Sequence, residues 1–299
     1  MGDGTSWVDL LDPTAEEIEA AAGVRLNERE LALLVGTGEP RPRLFGADDH
    51  AVGAFVVPVA VKDEDRVYYQ EVDIVLSRDR ALTVRRTPTD GEPFDPTELK
   101  ETCRDVPPSK VAFHLADIVA ERYLDLIDDL NEEIDEVEDA VEEDLAAGDV
   151  HQRLSALRHD VLHIRQTLSP TRDAVHRVVD GRVDSEAPGL LEAREVALFS
   201  DVYDKLLRAN DALELSRDLV AGVRDFHQSK IAQIQNEVVQ RLTAIASLLL
   251  FPTFVVGVYG QNFDVLPELH WHYGYAFSWA VIVLSTVAQL AFFRRRNWI

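Results

Sequence analysis

Two side-chain amides follow a glycine at the end of a long apolar segment. The stretch YGQNF runs from Tyr259 to Phe263 and comes directly after this uncharged run. Gly260 allows the chain to leave a helix sharply, and Asn262 then presents a neutral carbonyl oxygen. Because Mg²⁺ gives up its waters reluctantly, a ring of such amides could hold the hydrated ion through hydrogen bonds to those waters. The alternative for a single motif of this kind is an interfacial turn without an ionic role.

The segments on either side of this motif match membrane spans in length. There are 22 residues without a formal charge between Arg241 and Asp264, and 21 between His272 and Arg294. A bilayer core takes roughly 20 residues of helix, so we expect two transmembrane helices rather than two buried soluble ones. Aromatic side chains also cluster where the interfaces would lie: Tyr259, Phe263, Trp271, Tyr273, Tyr275 and Trp298.

The basic residues predict an orientation. Arg294, Arg295 and Arg296 close the second span, Lys230 and Arg241 precede the first, and the loop from Asp264 to His272 has no Lys or Arg. By the positive-inside rule, both termini face the cytoplasm and the loop faces out. We therefore expect a multi-pass protein of the inner or plasma membrane, with membrane lipid as a partner.

Composition narrows the possible functions. The chain has 30 Lys and Arg against 54 Asp and Glu, a formal charge of -24, which argues against nucleic acid and favours divalent cations as partners. A single cysteine, Cys103, excludes an internal disulfide framework, and the first residues have no secretory signal pattern. The sequence has no nucleophile elbow, phosphate loop or cysteine pair, so an enzyme is not expected.

The first part of the chain predicts a small mixed α/β domain. Three β-branched and aromatic stretches, AVGAFVVPVAVKD, RVYYQEVDIVLS and ALTVRR, predict strands. The segment DPTAEEIEAAAG predicts a helix that has a capping residue, an acidic first turn and a terminal glycine. The order of the strands does not follow from these patterns.

A helical hairpin comes next. From Ala120, apolar residues recur every three or four positions through Tyr123 to Leu145, while Leu124 to Asp149 contains 13 carboxylates and no Lys or Arg. A second helix, about 150–179, carries arginines that partly match this charge. The acidic face is either a solvated surface or a reservoir for divalent cations. His159 and His163 have a spacing that suits zinc, but beside two arginines we interpret them as surface residues.

A single long helix then leads into the first span. From Leu191 to Tyr259 the sequence predicts one helix on the order of 100 Å long, which neighbouring helices must support. Within the span, Ala246, Leu250, Thr253 and Gly257 share one face at spacings of four, three and four. Small residues there indicate close helix packing, whereas a symmetric ring of such helices would enclose a hydrophobic bore.

These features together resemble the CorA family of magnesium transporters. The resemblance rests on YGQNF followed by LPELHW, on two spans at the C-terminus, on the basic tail RRRNW and on the long charged helix. It covers essentially the whole chain and implies a funnel-shaped homopentamer. In such an assembly an α/β cytoplasmic domain precedes a long α-helical stalk and two C-terminal transmembrane helices, the first of which lines the pore.

The resemblance also implies roles for individual residues. Gly260, Gln261 and Asn262 would form the selectivity filter, and Asp264 and Glu268 would concentrate cations at its entrance. Mg²⁺ would be both the transported and the regulatory ion, and regulatory cytosolic Mg²⁺ would bind at Asp201 together with Asp90 or Glu92 of the neighbouring subunit. The implied pore-lining positions are Asn236, Val239, Leu242, Ala246, Leu250, Thr253 and Gly257.

These patterns and the resemblance give the expected division of the chain into segments. We expect an α/β domain at 1–106, helices with the acidic hairpin at 107–188, a stalk helix at 189–241, a pore-lining span at 242–260, an outer loop at 261–274, a second span at 275–293 and a basic tail at 294–299.

The expected function is influx of Mg²⁺, with Co²⁺ or Ni²⁺ as further passengers, gated by intracellular Mg²⁺. Gln261 departs from the methionine usual in the family, which leaves a zinc transporter as an alternative. A non-conducting membrane-anchored coiled-coil scaffold is a second alternative.

Overall fold

The computed structural model describes residues 7–36, 41–61, 66–88, 93–104, 106–143, 147–261 and 271–299. The chain divides into two compact units, Met1–Val223 and Arg224–Ile299.

A five-stranded sheet forms the centre of the first unit. Its strands are β1 (Trp7–Leu11), β2 (Arg43–Ala47), β3 (His50–Val61), β4 (Arg66–Ser77) and β5 (Ala81–Arg85). They lie in the order β1-β5-β4-β3-β2, with β1 parallel to β5 and the other pairs antiparallel. The three predicted strands are confirmed as β3, β4 and β5. The sequence patterns did not identify β1 and β2, which are five residues long and lie at the two edges.

Pro58 is tolerated within β3 because of where β2 ends. Proline has no backbone N–H, so it is found where a strand has no neighbour on that side. The pairing of β2 with β3 reaches only from Ala47↔His50 to Arg43↔Ala54. Pro58 lies four residues further along β3 and faces Tyr69 of β4 in the register.

Helices cover both faces of this sheet. On one face, α1 (Ala15–Ala22) and α2 (Glu28–Val35) bury Ile18 and Leu34 among side chains of β3, β4 and β5. Both helices begin with a reciprocal capping box, Thr14 with Glu17 and Asn27 with Glu30. The helix expected in DPTAEEIEAAAG is therefore confirmed, including its left-handed Gly23 at the C-cap.

The second face packs against the helical hairpin. After the short α3 (Thr97–Thr102), α4 (Pro108–Glu142) and α5 (Ala147–Val179) follow, and α4 packs on β3 and β4. The predicted apolar stripe of α4 is buried from Ala120 to Val141, and the helix begins 12 residues before that stripe. The last expected stripe residue, Leu145, lies outside the described residues.

Charge matching within the hairpin is partial, as expected. Arg153 pairs with Glu136 of α4 at 2.9 Å. Two other arginines of α5 pair outside α4, Arg165 with Glu214 at 3.3 Å and Arg177 with Glu186 at 2.7 Å. The hairpin is instead held by its buried apolar residues, because exposed ion pairs stabilise little.

A short helix follows α5 in the segment DGRVDSEAPG, where glycine and proline predict a turn. This helix, α6 (Arg182–Glu186), packs on β2, and the Glu186 carboxylate accepts a hydrogen bond from the Gly46 N–H at 2.8 Å. A Cβ placed on Gly46 would lie 2.6 Å from the Glu186 Cβ and 2.8 Å from the Val183 carbonyl oxygen. Glycine is required there because no side chain fits between β2 and α6.

The longest helix runs through both units. It is α7 (Ala193–Tyr259), 67 residues, so the single long helix predicted from Leu191 is confirmed to within two residues. In the first unit it buries a stripe spaced by three, four, three and four residues: Phe199, Val202, Leu206, Ala209 and Leu213. These side chains belong to the same core as α4 and the sheet. The last helix, α8 (Gly274–Arg295), belongs to the second unit.

Truncation of this stripe should destabilise the first unit. Phe199 is 1% exposed, and we expect Phe199→Ala to cost about 3–5 kcal/mol of unfolding free energy, which lowers the apparent Tm by roughly 10 °C. The measurement is thermal unfolding of the purified chain followed by circular dichroism. Leu215→Ala on the same helix is the control, because Leu215 is 60% exposed and its loss should leave the Tm nearly unchanged. Equal losses in the two variants would contradict the packing described here.

Candidate functional site

The second unit contains two helices that meet the length and hydropathy of membrane spans. One is the end of α7 and the other is α8, and few of their residues are buried. The Ser247 hydroxyl donates to the Gln289 side-chain oxygen at 3.4 Å and so connects the two helices. Sequence analysis did not single out this contact, although two polar residues in uncharged segments are a recognisable signal.

The seven expected pore-lining residues are all exposed in the single chain. Leu242 is 65% exposed and Leu250 is 71% exposed, and they belong to a contiguous exposed apolar stretch of the kind that lipid or another subunit covers. The buried residues of this helix segment, Ala244 and Val255, lie on a different face at roughly 100° per residue. The predicted stripe is therefore left uncovered by α8.

The Thr253 hydroxyl on this stripe already donates a hydrogen bond. Thr253 donates through Oγ1 to the Leu249 carbonyl oxygen at 2.8 Å. Its remaining lone pairs can accept hydrogen bonds from water, including water bound to a cation. Pro252 precedes it inside the helix and has no N–H, so the Leu248 carbonyl lacks its usual helical donor. Leu248 lies near Ala244, on the face opposite the stripe, so the acceptor in the middle of the stripe itself is the Thr253 hydroxyl, which is uncharged.

Gly257, one turn further along the stripe, is open on its outer side. A Cβ placed there would meet nothing within 4 Å. Contacts inside the described chain therefore do not require a glycine at this position, and a small residue suits close approach by a neighbouring helix.

The end of α7 differs from the expectation that the chain turns sharply at Gly260. The helix ends at Tyr259, as the motif predicted, but the Gly260 N–H still bonds the Val256 carbonyl at 2.9 Å. Gly260 is not among the residues with positive φ, so the sharp departure that relies on the freedom of glycine does not occur at this residue. Gln261 follows with an exposed side chain and an N–H bond to the Val258 carbonyl at 3.4 Å.

Three expected site residues beyond Gln261 lie outside the described residues. They are Asn262 of the filter and Asp264 and Glu268 of the entrance loop. Their roles stay predictions. The description resumes at Trp271, where Trp271, Tyr273 and Tyr275 are all exposed aromatic residues next to the start of α8.

Asp201 lies in the first unit on the outward side of α7. Its neighbours Phe199 and Val202 point into the core, whereas Asp201 itself is exposed. An exposed carboxylate is available to a cation or to another subunit. Its expected partners, Asp90 and Glu92, lie outside the described residues. Among the described residues, no group of three or more His, Cys, Asp or Glu could hold a metal ion.

A lysine one turn beyond Asp201 is engaged within its own chain. The Lys205 ammonium contacts the Asp117 carboxylate at 2.5 Å and the Glu121 carboxylate at 2.9 Å, both on α4. Burial acts against the charged form, but hydrogen bonds to Asp117 and Glu121 outweigh it and raise the pKa of Lys205. This cluster was not predicted from the sequence, because the two carboxylates that pair with Lys205 lie 84 and 88 residues earlier in the chain.

The histidine pair of α5 stays on the surface. His159 and His163 are exposed, and their ring centroids are 4.3 Å apart. Tyr69 lies beside His163 with its centroid 6.4 Å away. Two imidazoles alone do not complete a zinc site, which takes four ligands.

Comparison with known proteins agrees with this architecture. The family described as CorA-like Mg²⁺ transporter protein matches residues 2–295. The "Cobalt/magnesium transport protein CorA" of Thermotoga maritima is 30% identical over 235 residues, which cover 77% of this chain and 65% of that protein. The "Magnesium transport protein CorA" of Yersinia pseudotuberculosis is 28% identical and the match covers 98% of this chain and 92% of that protein.

A solved structure shows the same fold. The CorA magnesium transporter from Methanocaldococcus jannaschii superposes with a TM-score of 0.77 at 18% sequence identity, covering 98% of this chain and 91% of that one. Both share a soluble α/β domain, a long helix and two C-terminal apolar helices. Together with the match of the family description over nearly the whole length, this shows that the chain belongs to the CorA-like Mg²⁺ transporter family.

Proposed function

We propose that this chain forms a homopentameric channel that admits Mg²⁺, with Co²⁺ or Ni²⁺ as further passengers, across the cytoplasmic membrane. The observation that carries the proposal is the exposed stripe of α7 that ends in GQN. Its residues are uncharged, its hydroxyl offers lone pairs and α8 leaves it uncovered. Copies of this face around an axis would line a narrow bore.

The proposed topology follows the basic residues. Both termini are cytoplasmic, the segment 261–274 is the outer loop, and 242–260 and 275–293 cross the membrane, with 294–299 as a basic cytoplasmic tail. The α/β part at 1–106, the helices at 107–188 and the stalk at 189–241 then lie in the cytoplasm. Lipid covers the outside of the ring.

Selectivity would come from the outer end of the stripe. Gly260 and Gln261 lead into Asn262, whose carboxamide oxygens would accept hydrogen bonds from the water shell of Mg²⁺. Asp264 and Glu268 would raise the cation concentration at the entrance. A divalent ion gains about 4.6 kcal/mol from 100 mV of inward-negative potential, so transport needs no nucleotide hydrolysis.

Gating would use carboxylates between subunits. Asp201 is exposed on α7, and Asp90 or Glu92 of the partner subunit would complete the regulatory site. When cytosolic Mg²⁺ is plentiful, it screens the repulsion between these carboxylates and stabilises the closed ring. When Mg²⁺ falls, the repulsion returns and the ring loosens.

Loss of the filter amide should abolish selective Mg²⁺ entry. We expect Asn262→Ala to lower Mg²⁺ flux into proteoliposomes by about tenfold or more, because the ring of acceptors is removed. Flux is followed with a Mg²⁺-sensitive dye inside the vesicles. The control is Gln166→Ala, which removes an exposed amide from α5 and should leave flux unchanged.

The same vesicles test the alternatives. Gln261 stands where the family usually has methionine, and this difference favours zinc as the second candidate ion. Passage of Zn²⁺ without Mg²⁺ would identify a zinc transporter. A scaffold without conduction would show no flux of either ion above that of empty vesicles.

Removal of Asp201 should weaken inhibition by Mg²⁺. We expect Asp201→Ala to raise the half-inhibitory internal Mg²⁺ concentration by about fivefold or more, because one ligand carboxylate is lost. The assay compares the initial flux at several internal Mg²⁺ concentrations. Asp211→Ala removes an exposed carboxylate from another side of the same helix and serves as the control. If the two variants respond alike, Asp201 is not the regulatory ligand.

A further inference from the structure

A cleft in the Met1–Val223 unit collects basic side chains from three elements. It has a volume of about 590 Å³. Arg78 comes from the turn between β4 and β5, Lys110 from the first turn of α4 and Arg194 from the first turn of α7. The chain as a whole has 54 acidic residues against 30 basic ones, so this concentration of cations departs from the average surface. A local positive field favours an anionic ligand.

The basic side chains of this cleft can contact a ligand. Lys110 and Arg194 are exposed and form no ion pair within 4.0 Å with any residue in the described part of the chain. Arg78 donates one hydrogen bond to the Pro188 carbonyl at 2.9 Å, which leaves other guanidinium N–H groups for a ligand. Three cationic side chains that approach from different elements can surround one phosphate chain.

The opposing carboxylates offset only part of this charge, because three cations face two carboxylates and a net positive charge of one remains. Two glutamates line the cleft, Glu192 and Glu195. The Glu195 carboxylate is already engaged, because it accepts hydrogen bonds from the Ser109 hydroxyl and from the Glu192 N–H. Burial lowers the pKa of His114, which also lines the cleft, so this imidazole is neutral near pH 7. The two hydrogen bonds hold the Glu195 carboxylate in place but leave its negative charge, so Glu192 and Glu195 each offset one of the three cations.

One wall of the cleft is apolar. Phe113, Leu190 and Leu198 line it. The Phe113 ring packs edge-on against Phe199, with centroids 6.1 Å apart, so its orientation is set by the core. Aromatic faces stack on planar rings, and a volume of about 590 Å³ falls within the range of small-molecule sites.

We propose that this cleft binds a phosphorylated ring compound of the nucleotide class. Lys110, Arg194 and Arg78 hold its phosphates, and the ring lies against the apolar wall at Phe113. The site belongs to the first unit alone and does not depend on the proposed transport function.

Titration calorimetry with ATP tests the site. The purified full-length chain in detergent, with EDTA present so that no Mg²⁺ contributes, should bind one ATP per chain. Inorganic phosphate can make only the contacts to the cations, and adenosine only the contacts to the apolar wall. Each should therefore bind at least about tenfold more weakly than ATP. The double substitution Lys110→Ala and Arg194→Ala should raise the Kd for ATP by about tenfold or more, because charge-assisted hydrogen bonds are lost.

Two further variants make the result decisive. Arg122→Ala with Arg208→Ala removes two exposed cations from the same two helices outside the cleft and should leave the Kd unchanged. Phe113→Leu should weaken ATP binding but not phosphate binding. The proposal is wrong if ATP does not bind, if inorganic phosphate binds as tightly as ATP, or if the control pair weakens ATP as much as the cleft pair. None of these outcomes depends on ion flux.

Discussion

One helix has to satisfy two different environments, and the structure depends on how α7 does so. In its first part a stripe from Phe199 to Leu213 is buried against the core of the α/β unit. In its last part the corresponding apolar surface has no such core, and Leu242 and Leu250 are mostly exposed. Water cannot be the solvent for so much leucine along 22 uncharged residues. The helix therefore requires both a soluble partner at its beginning and lipid or further helices at its end.

The contact with α8 covers one face of the apolar segment of α7 and leaves the opposite face exposed. Ser247 and Gln289 meet between the two helices, and Ala244 and Val255 are buried. With that side occupied, the side containing Thr253 and Gly257 remains for other subunits or for a passage. A polar acceptor without a formal charge is compatible with a membrane interior, where an unpaired charge would cost several kcal/mol. This face is therefore compatible with the cation passage proposed above.

Much of the architecture was predictable, because its causes are local. The strands β3 to β5, the capped α1 and the uninterrupted α7 follow from side-chain periodicity, capping residues and the absence of helix-breaking signals. The edge strand β1 was missed because its only partner, β5, lies far along the chain. The edge strand β2 was missed because two of its five residues are Gly46 and Ala47, which are depleted in strands. The parallel pairing of β1 with β5 joins residues about 74 positions apart, and no local pattern encodes that.

The candidate functional site was only partly predictable from the sequence. Residue spacing placed the stripe of α7 on one face, and the exposure of its members agrees. The engagement of Lys205 with Asp117 and Glu121 depends on the packing of two long helices and could not be read from either helix alone. That engagement matters for Asp201, one turn away. Because the Lys205 ammonium already contacts two carboxylates of its own chain, a divalent ion bound at Asp201 as proposed above would not have to displace this lysine. On one face of the helix, the positive charge of Lys205 is therefore compensated within the chain, whereas Lys205 does not compensate the exposed negative charge of Asp201.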